Sequence, residues 1–149
     1  MLKGLDPRLG ADVLHALRAM GHGDAVVLCD LNFPADAVAR HTGVGRLLRM
    51  DNLALPDAVE AVLSVLPLDT FVDDFAGRMA VIDRPDEVPS VQAEVGRVVR
   101  AAGEDRPLPG IERFAFYDVA RGAYAVIQTG ERRFYGCVMF RKGVIPPDA

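Results

Sequence analysis

Ala25-Val26-Val27-Leu28-Cys29, followed at once by Asp30, is the stretch that decides the fold. The run is short, wholly apolar and rich in β-branched residues. That pattern reads as a strand buried on both faces, with Asp30 at its C-terminal end. Upstream, Asp6-Pro7 marks a turn, and Leu9, Val13, Leu17 and Met20 recur at the three-to-four spacing of an amphipathic helix. Gly21 is expected to end that helix as a left-handed cap.

Downstream, Asn32-Phe33-Pro34 breaks the strand, because Pro34 cannot donate to a ladder. Residues 35–41 suit a short helix and residues 44–50 a second strand. Pro56 fits the first turn of a helix with Val59, Val62, Leu63 and Leu66 on its apolar face, stopped by Pro67. Residues 79–82 form another apolar run. Pro89 opens a helix with Val91, Val95, Val98, Val99 and Ala102 on one side, and Gly103 ends it. Residues 106–110 read as a loop, residues 112–120 as a helix. Strands are expected at 123–128 and 134–140, joined around Thr129-Gly130-Glu131 in a hairpin pattern. Helices alternating with short apolar strands predict one layered α/β domain over residues 1–149.

Composition narrows the function. The chain has 149 residues, half of them hydrophobic and 26% charged, as expected of a folded globular domain. A net charge of -4 argues against a nucleic-acid surface. The short basic pairs Arg132-Arg133 and Arg141-Lys142 read as a solvated turn and strand end. Cys29 and Cys137 lie inside apolar runs, which points to a reducing, cytoplasmic compartment. Residues 1–5 lack a long apolar stretch, so no signal peptide is expected, and no run approaches the ~20 residues a membrane helix needs.

Four clusters could carry chemistry. His22 lies between Gly21 and Gly23 at a helix-to-strand turn, with little cover from its neighbours. An imidazole titrates near neutrality and suits proton transfer; a histidine capping the preceding helix is the plainer alternative. Asp30 sits at a strand C-terminus, where α/β sheets bind ligands, or it is a turn cap. Arg113 and Tyr117 share a helix face, and Tyr117 fits a packing or a binding role equally well. Tyr135-Gly136-Cys137 lies just after the expected hairpin turn, where Gly136 permits close backbone approach or marks a bulge. Asp73-Asp74 lacks a third ligand for a metal, and His15 and His41 have no evident partner. The glycines fit neither a phosphate loop nor a dinucleotide fingerprint, and there is no serine elbow.

Taken in order, these clusters resemble the fucose mutarotase and ribose pyranase family, closest to the fucose branch. The resemblance runs through Met1-Leu2-Lys3-Gly4, Met20-Gly21-His22-Gly23-Asp24 and Asp30-Leu31-Asn32-Phe33-Pro34. It resumes at Arg113-Phe114-Ala115-Phe116-Tyr117, Thr129-Gly130-Glu131, Tyr135-Gly136 and Lys142-Gly143-Val144. It implies a three-layer α/β domain with a mixed, largely parallel sheet, working without cofactor or metal. It implies a monosaccharide substrate and a homo-oligomer, commonly a decameric ring, with active sites near subunit contacts. His22 then matches a proton donor, Asp30 and Arg113 match substrate-binding positions, and Tyr135, Gly136 and Cys137 match a substrate-contact segment.

Cys137 departs from the family pattern, which has asparagine there. A thiol is a weak donor and acceptor where an amide offers both functions strongly. The expected mechanism opens the sugar ring by acid–base catalysis, with His22 exchanging protons and Tyr135 relaying or donating at the anomeric end. It requires the His22 imidazole and the Asp30 carboxylate to converge on one hemiacetal. Pyranose–furanose interconversion of ribose and a non-catalytic sugar-binding subunit are the alternatives.

Overall fold

The computed structural model describes residues 1–149. Ala25–Cys29 forms strand β1, buried at all five residues. Alternate side chains of a strand point to opposite faces. Val26 and Leu28 accordingly enter one apolar cluster, and Ala25, Val27 and Cys29 another. Helices α1 (Ala11–Ala19), α3 (Leu55–Leu63) and α4 (Ser90–Ala101) cover the first face. The shorter α2 (Ala35–Ala39) and α5 (Arg113–Arg121) cover the second. The result is three layers, helices on both sides of one sheet, as expected.

The sheet has six strands in the order β2-β5-β1-β6-β3-β4. The others are β2 (Leu48–Met50), β3 (Ala76–Met79), β4 (Gly110–Ile111), β5 (Ala125–Thr129) and β6 (Val138–Arg141). β1 pairs parallel with β5 and antiparallel with β6. β6 alone runs against the rest, so the sheet is mixed and largely parallel.

The expected hairpin between the last two strands does not form: β1 lies between β5 and β6. Their connection, residues 130–137, is longer than the two-to-five-residue turns that close hairpins. It instead crosses the C-terminal end of β1, where Leu31 N donates to Glu131 O at 2.9 Å.

Other boundaries also move. Helix α1 ends at Met20 in extended backbone, and the left-handed glycine is Gly23, at φ 86°, rather than Gly21. Helix α3 ends at Ser64, ahead of Pro67. The apolar run over 79–82 overlaps a strand only at Met79, which closes β3 (Ala76–Met79). The loop over 106–110 gives way at Gly110 to a two-residue edge strand. The basic pairs are not merely solvated. Arg133 joins Glu131 and Glu94, Arg141 joins Asp74, and Lys142 Nζ donates to Leu17 O and Met20 O at the end of α1. Unpaired carbonyls at a helix C-terminus attract a cation, which explains that last contact. No helix is long and apolar enough to cross a membrane.

Candidate active site

Beyond the C-terminal end of β1 lies an open cleft of about 240 Å³, lined by Asp30, Asn32, Phe33, Met79, Arg113, Tyr117, Phe134, Tyr135 and Cys137. Asp30 anchors it. One carboxylate oxygen accepts from the backbone N–H groups of Asn32 and Phe33, at 2.9 and 3.0 Å, closing the turn made by Asn32-Phe33-Pro34. The other accepts from Gly136 N at 3.0 Å and from the Cys137 thiol at 3.6 Å. Three of the four donors are backbone amides. The thiol is the weakest, and it is the position where a ligand hydroxyl can compete.

Gly136 makes this approach possible, because a Cβ there would lie 2.8 Å from Glu131 Cγ and 3.2 Å from Asp30 Cβ. Glu131, buried at 4% exposure, ties the connection together. It accepts from Leu55 N, Arg132 N, Arg133 N and the Arg133 guanidinium. The Arg133 contact holds the Glu131 carboxyl down at about 2, well below the usual carboxylate value. Tyr135 follows in left-handed backbone, φ 60°, a conformation that costs a non-glycine residue about 1–2 kcal/mol. Its hydroxyl accepts from Ile82 N at 3.4 Å.

Helix α5 supplies the opposite wall. Glu112 caps it, accepting from Phe114 N and Ala115 N at 2.9 and 3.0 Å. One turn then separates Arg113 from Tyr117, and Arg113 Nε donates to the Tyr117 hydroxyl at 3.3 Å. That hydrogen bond, foremost, raises the Arg113 pKa. The Tyr117 ring packs on Phe33 with centroids 5.3 Å apart. The cleft therefore pairs a fixed carboxylate and a fixed guanidinium with flat apolar surface. This suits a small neutral molecule with both hydroxyl and hydrocarbon edges. Burial pushes the Cys137 thiol well above its ordinary value, so it stays protonated.

His22 stands elsewhere. Six residue-to-residue steps of extended chain lead from Asp24 to Asp30, roughly 20 Å at the rise of a strand. His22 lies at the N-terminal end of β1 and the cleft at its C-terminal end. Within one chain the imidazole and the Asp30 carboxylate do not converge, so the expected convergence on one hemiacetal calls for a second copy of the chain. The His22 turn is nonetheless a built feature. Gly21 N donates to the Asp24 carboxylate at 2.8 Å, Gly23 N to Lys142 O at 2.8 Å, and Arg141 to Gly23 O at 2.9 Å.

His22 Nε2 meets Asp69 Oδ2 at 3.1 Å, and Asp69 is buried at 2% exposure. The other Asp69 oxygen accepts from Phe71 N at 3.1 Å, and Asp69 N donates to Arg141 O at 3.0 Å. Gly143 admits this segment: a Cβ there would overlap Leu68 O and lie 2.9 Å from Asp69 Cα. The tautomer with its proton on Nε2 donates to Asp69 and leaves Nδ1 as the open acceptor. His22 is half exposed, and Phe71 beside it is 73% exposed, with ring centroids 6.0 Å apart.

The fold thus gathers Asp30, Arg113, Tyr117, Tyr135 and Cys137 at one cleft, with Gly136 beneath it, and leaves His22 outside. Sequence reasoning missed Asp69, which no local pattern separates from Asp73 and Asp74. It also missed Asn32, Phe33, Met79 and Phe134 as cleft walls. Asn32 and Phe33 stand directly after the strand end, and that position was the available signal.

The RbsD / FucU transport protein family matches residues 3–145. The fucose mutarotase of Homo sapiens is 43% identical over 148 residues, spanning 97% of this chain and 94% of that one. Among solved structures, protein Atu2016 is 58% identical, with a TM-score of 0.95 over 98% of this chain and 97% of the other. The fucose mutarotase of Streptococcus pneumoniae, solved in complex with L-fucose, is 31% identical, with a TM-score of 0.87 over 97% of this chain and 100% of the other. With its sheet order, its cleft beyond β1 and its match over nearly its whole length, the chain belongs to the RbsD / FucU family.

Proposed function

We propose that this protein is a mutarotase that interconverts the α and β anomers of L-fucose or a closely related reducing monosaccharide. One observation carries the reading: a cleft that sets Asp30 and Arg113 against the flat apolar surface of Phe33, Tyr117 and Phe134, in a chain 43% identical to a fucose mutarotase. A 6-deoxy sugar offers matching edges, hydroxyls on one side and a methyl group on the other.

The reaction opens the ring by protonating the ring oxygen while the anomeric hydroxyl loses a proton. Rotation about C1–C2 and reclosure give the other anomer. Asp30 and Arg113 hold hydroxyls, with Gly136, Cys137 and Tyr117 shaping their surroundings, and Tyr135 relays a proton or donates a hydrogen bond at the anomeric hydroxyl. His22 exchanges protons through Nδ1, with Asp69 holding its tautomer. General acid–base catalysis of this kind typically supplies 10²–10⁴-fold.

The distance between His22 and the cleft is bridged by assembly. His22 and the bare Phe71 of one copy seat against the cleft of the next, whose rim carries the exposed Leu31, Phe114 and Phe134. Such a head-to-tail contact between two different surfaces closes into a ring when the rotation allows. The whole chain serves as one mutarotase domain in a homo-oligomeric, decameric ring. Two buried free thiols fit a cytoplasmic setting.

Saturation-transfer NMR on the anomeric protons of L-fucose, D-ribose and related sugars tests the reading. Anomer exchange well above buffer for L-fucose is expected. Binding without exchange would replace the enzyme by a sugar-binding subunit. Exchange confined to pyranose–furanose signals of ribose would move the protein to the pyranase reaction.

A further inference from the structure

Gln92 on helix α4 is buried at 1% exposure, yet it does not line the cleft. Its Nε2 donates to Met79 O at 2.7 Å and to Tyr135 O at 2.9 Å. Its Oε1 accepts from Arg78 Nη1 at 3.2 Å. A guanidinium can only donate, so Arg78 dictates which end of the amide faces which partner. Arg78 is buried as well, and it is steadied by Pro85 O at 2.9 Å and Glu87 O at 3.3 Å.

Both carbonyls that Gln92 binds belong to residues lining the cleft. Met79 closes β3, and Tyr135 belongs to the connection that crosses the end of β1. The Tyr135–Gly136 peptide is held from two sides. Its carbonyl accepts from Gln92, and its N–H donates to Asp30 Oδ2 at 3.0 Å. Tyr135 itself has left-handed backbone, which a residue with a Cβ keeps only when its surroundings enforce it. A two-proton donor behind the loop is such an enforcement. An apolar side chain, the ordinary choice for a fully buried helix position, would leave both carbonyls unpaired.

We infer that Gln92, oriented by Arg78, is a positioning residue that sets the Tyr135 ring and the Asp30 carboxylate through the peptide between Tyr135 and Gly136. Its kinetic consequence rests on the mutarotase reading, whereas its structural consequence does not. Gln92→Glu keeps the size and the Arg78 contact but cannot donate to either carbonyl. Arg78→Lys is the milder second variant, which frees the amide to turn.

Two measurements test this on the full chain in its native assembly. The first is the concentration dependence of L-fucose anomer exchange. The kcat of Gln92→Glu is expected to fall roughly tenfold or more, with KM within about twofold. Combined with Tyr135→Phe, the further loss from Gln92→Glu should be clearly smaller than in the parent, since the part that runs through the Tyr135 hydroxyl is already gone. The second is hydrogen exchange at the Gly136 amide, which should speed up by about tenfold or more in Gln92→Glu while β1 and β5 amides hold. Should Gln92→Glu fail to fold, Arg78→Lys is expected to move both readouts the same way by a smaller factor. Equal losses with and without the Tyr135 hydroxyl, or unchanged Gly136 protection in a folded variant, would overturn the inference. Absence of exchange in the parent protein would sink the mutarotase reading, and Gly136 protection would still decide the positioning role.

Discussion

Asp69 holds His22 through a 3.1 Å contact between Oδ2 and the imidazole Nε2, and the carboxylate is the buried partner of the two. The pair joins a loop after α3 to the turn before β1. An amide in place of the carboxylate can donate to Nε2 and so favour the other tautomer. Asp69→Asn is therefore expected to lower anomer exchange by on the order of 100-fold while the protein stays folded. NMR exchange rates and a thermal melt check this together, and a variant with full exchange would remove His22 from the chemistry.

Because His22 and Asp30 lie at opposite ends of β1, the proposed mechanism draws its site from two chains. His22→Ala and Arg113→Ala should each be inactive alone. Mixed after dissociation and reassembly at equal amounts, they should recover roughly a quarter of parental activity, the share of contacts that pair an intact half with an intact half. No recovery in verified mixed oligomers would mean that the two halves are not joined across a subunit boundary.

Gly143 faces Leu68 and Asp69 with no room for a Cβ. Gly143→Ala should cost about 1–3 kcal/mol by overpacking and draw Asp69 away from His22. The expected result is a lower melting temperature and a loss of exchange exceeding the loss of folded protein. A melt unchanged from the parent would show that the loop can yield.

Cys137→Asn replaces the weak thiol contact to Asp30 with an amide that donates and accepts. A gain of about 0.5–1.5 kcal/mol in ligand binding follows if the amide reaches the sugar, a few-fold to tenfold drop in Kd for L-fucose. Titration calorimetry reads it directly. Weaker binding would show that the cleft is fitted to the thiol.

The Glu131 carboxyl is depressed from 4.5 to about 2 by Arg133 in the folded protein. A depressed carboxylate stabilises above its unfolded value, and that stability is lost as pH falls through the folded one. Stability should thus be flat from neutrality to about pH 4.5 and decline towards pH 2, by about 2 kcal/mol given the solvent-open side of Arg133. Glu131→Gln should be less stable at pH 7 and lose this acid limb. Equal acid curves for the two proteins would place the sensitivity elsewhere.

Much of the architecture was legible because it follows from local patterns. A short, β-branched apolar run such as residues 25–29 reads as a strand covered on both faces, and the helix stripes at Val59 and Val91 supply the cover on one of them. Asp30 was readable for the same reason, as the first polar residue after such a strand. The linear order could not show that β1 would sit between β5 and β6, because adjacency in a sheet depends on where long connections cross.

What the sequence by itself determined is the set of elements, their buried faces and the short motifs that shape the cleft, all products of spacing and backbone chemistry. What only the tertiary structure decided is the company those motifs keep. Asp69 reaches His22, and Gln92 reaches Tyr135, across 47 and 43 positions. The sheet also sets His22 a strand's length from Asp30. Such contacts arise from side chains brought together by packing, and packing is a property of the whole chain rather than of any stretch.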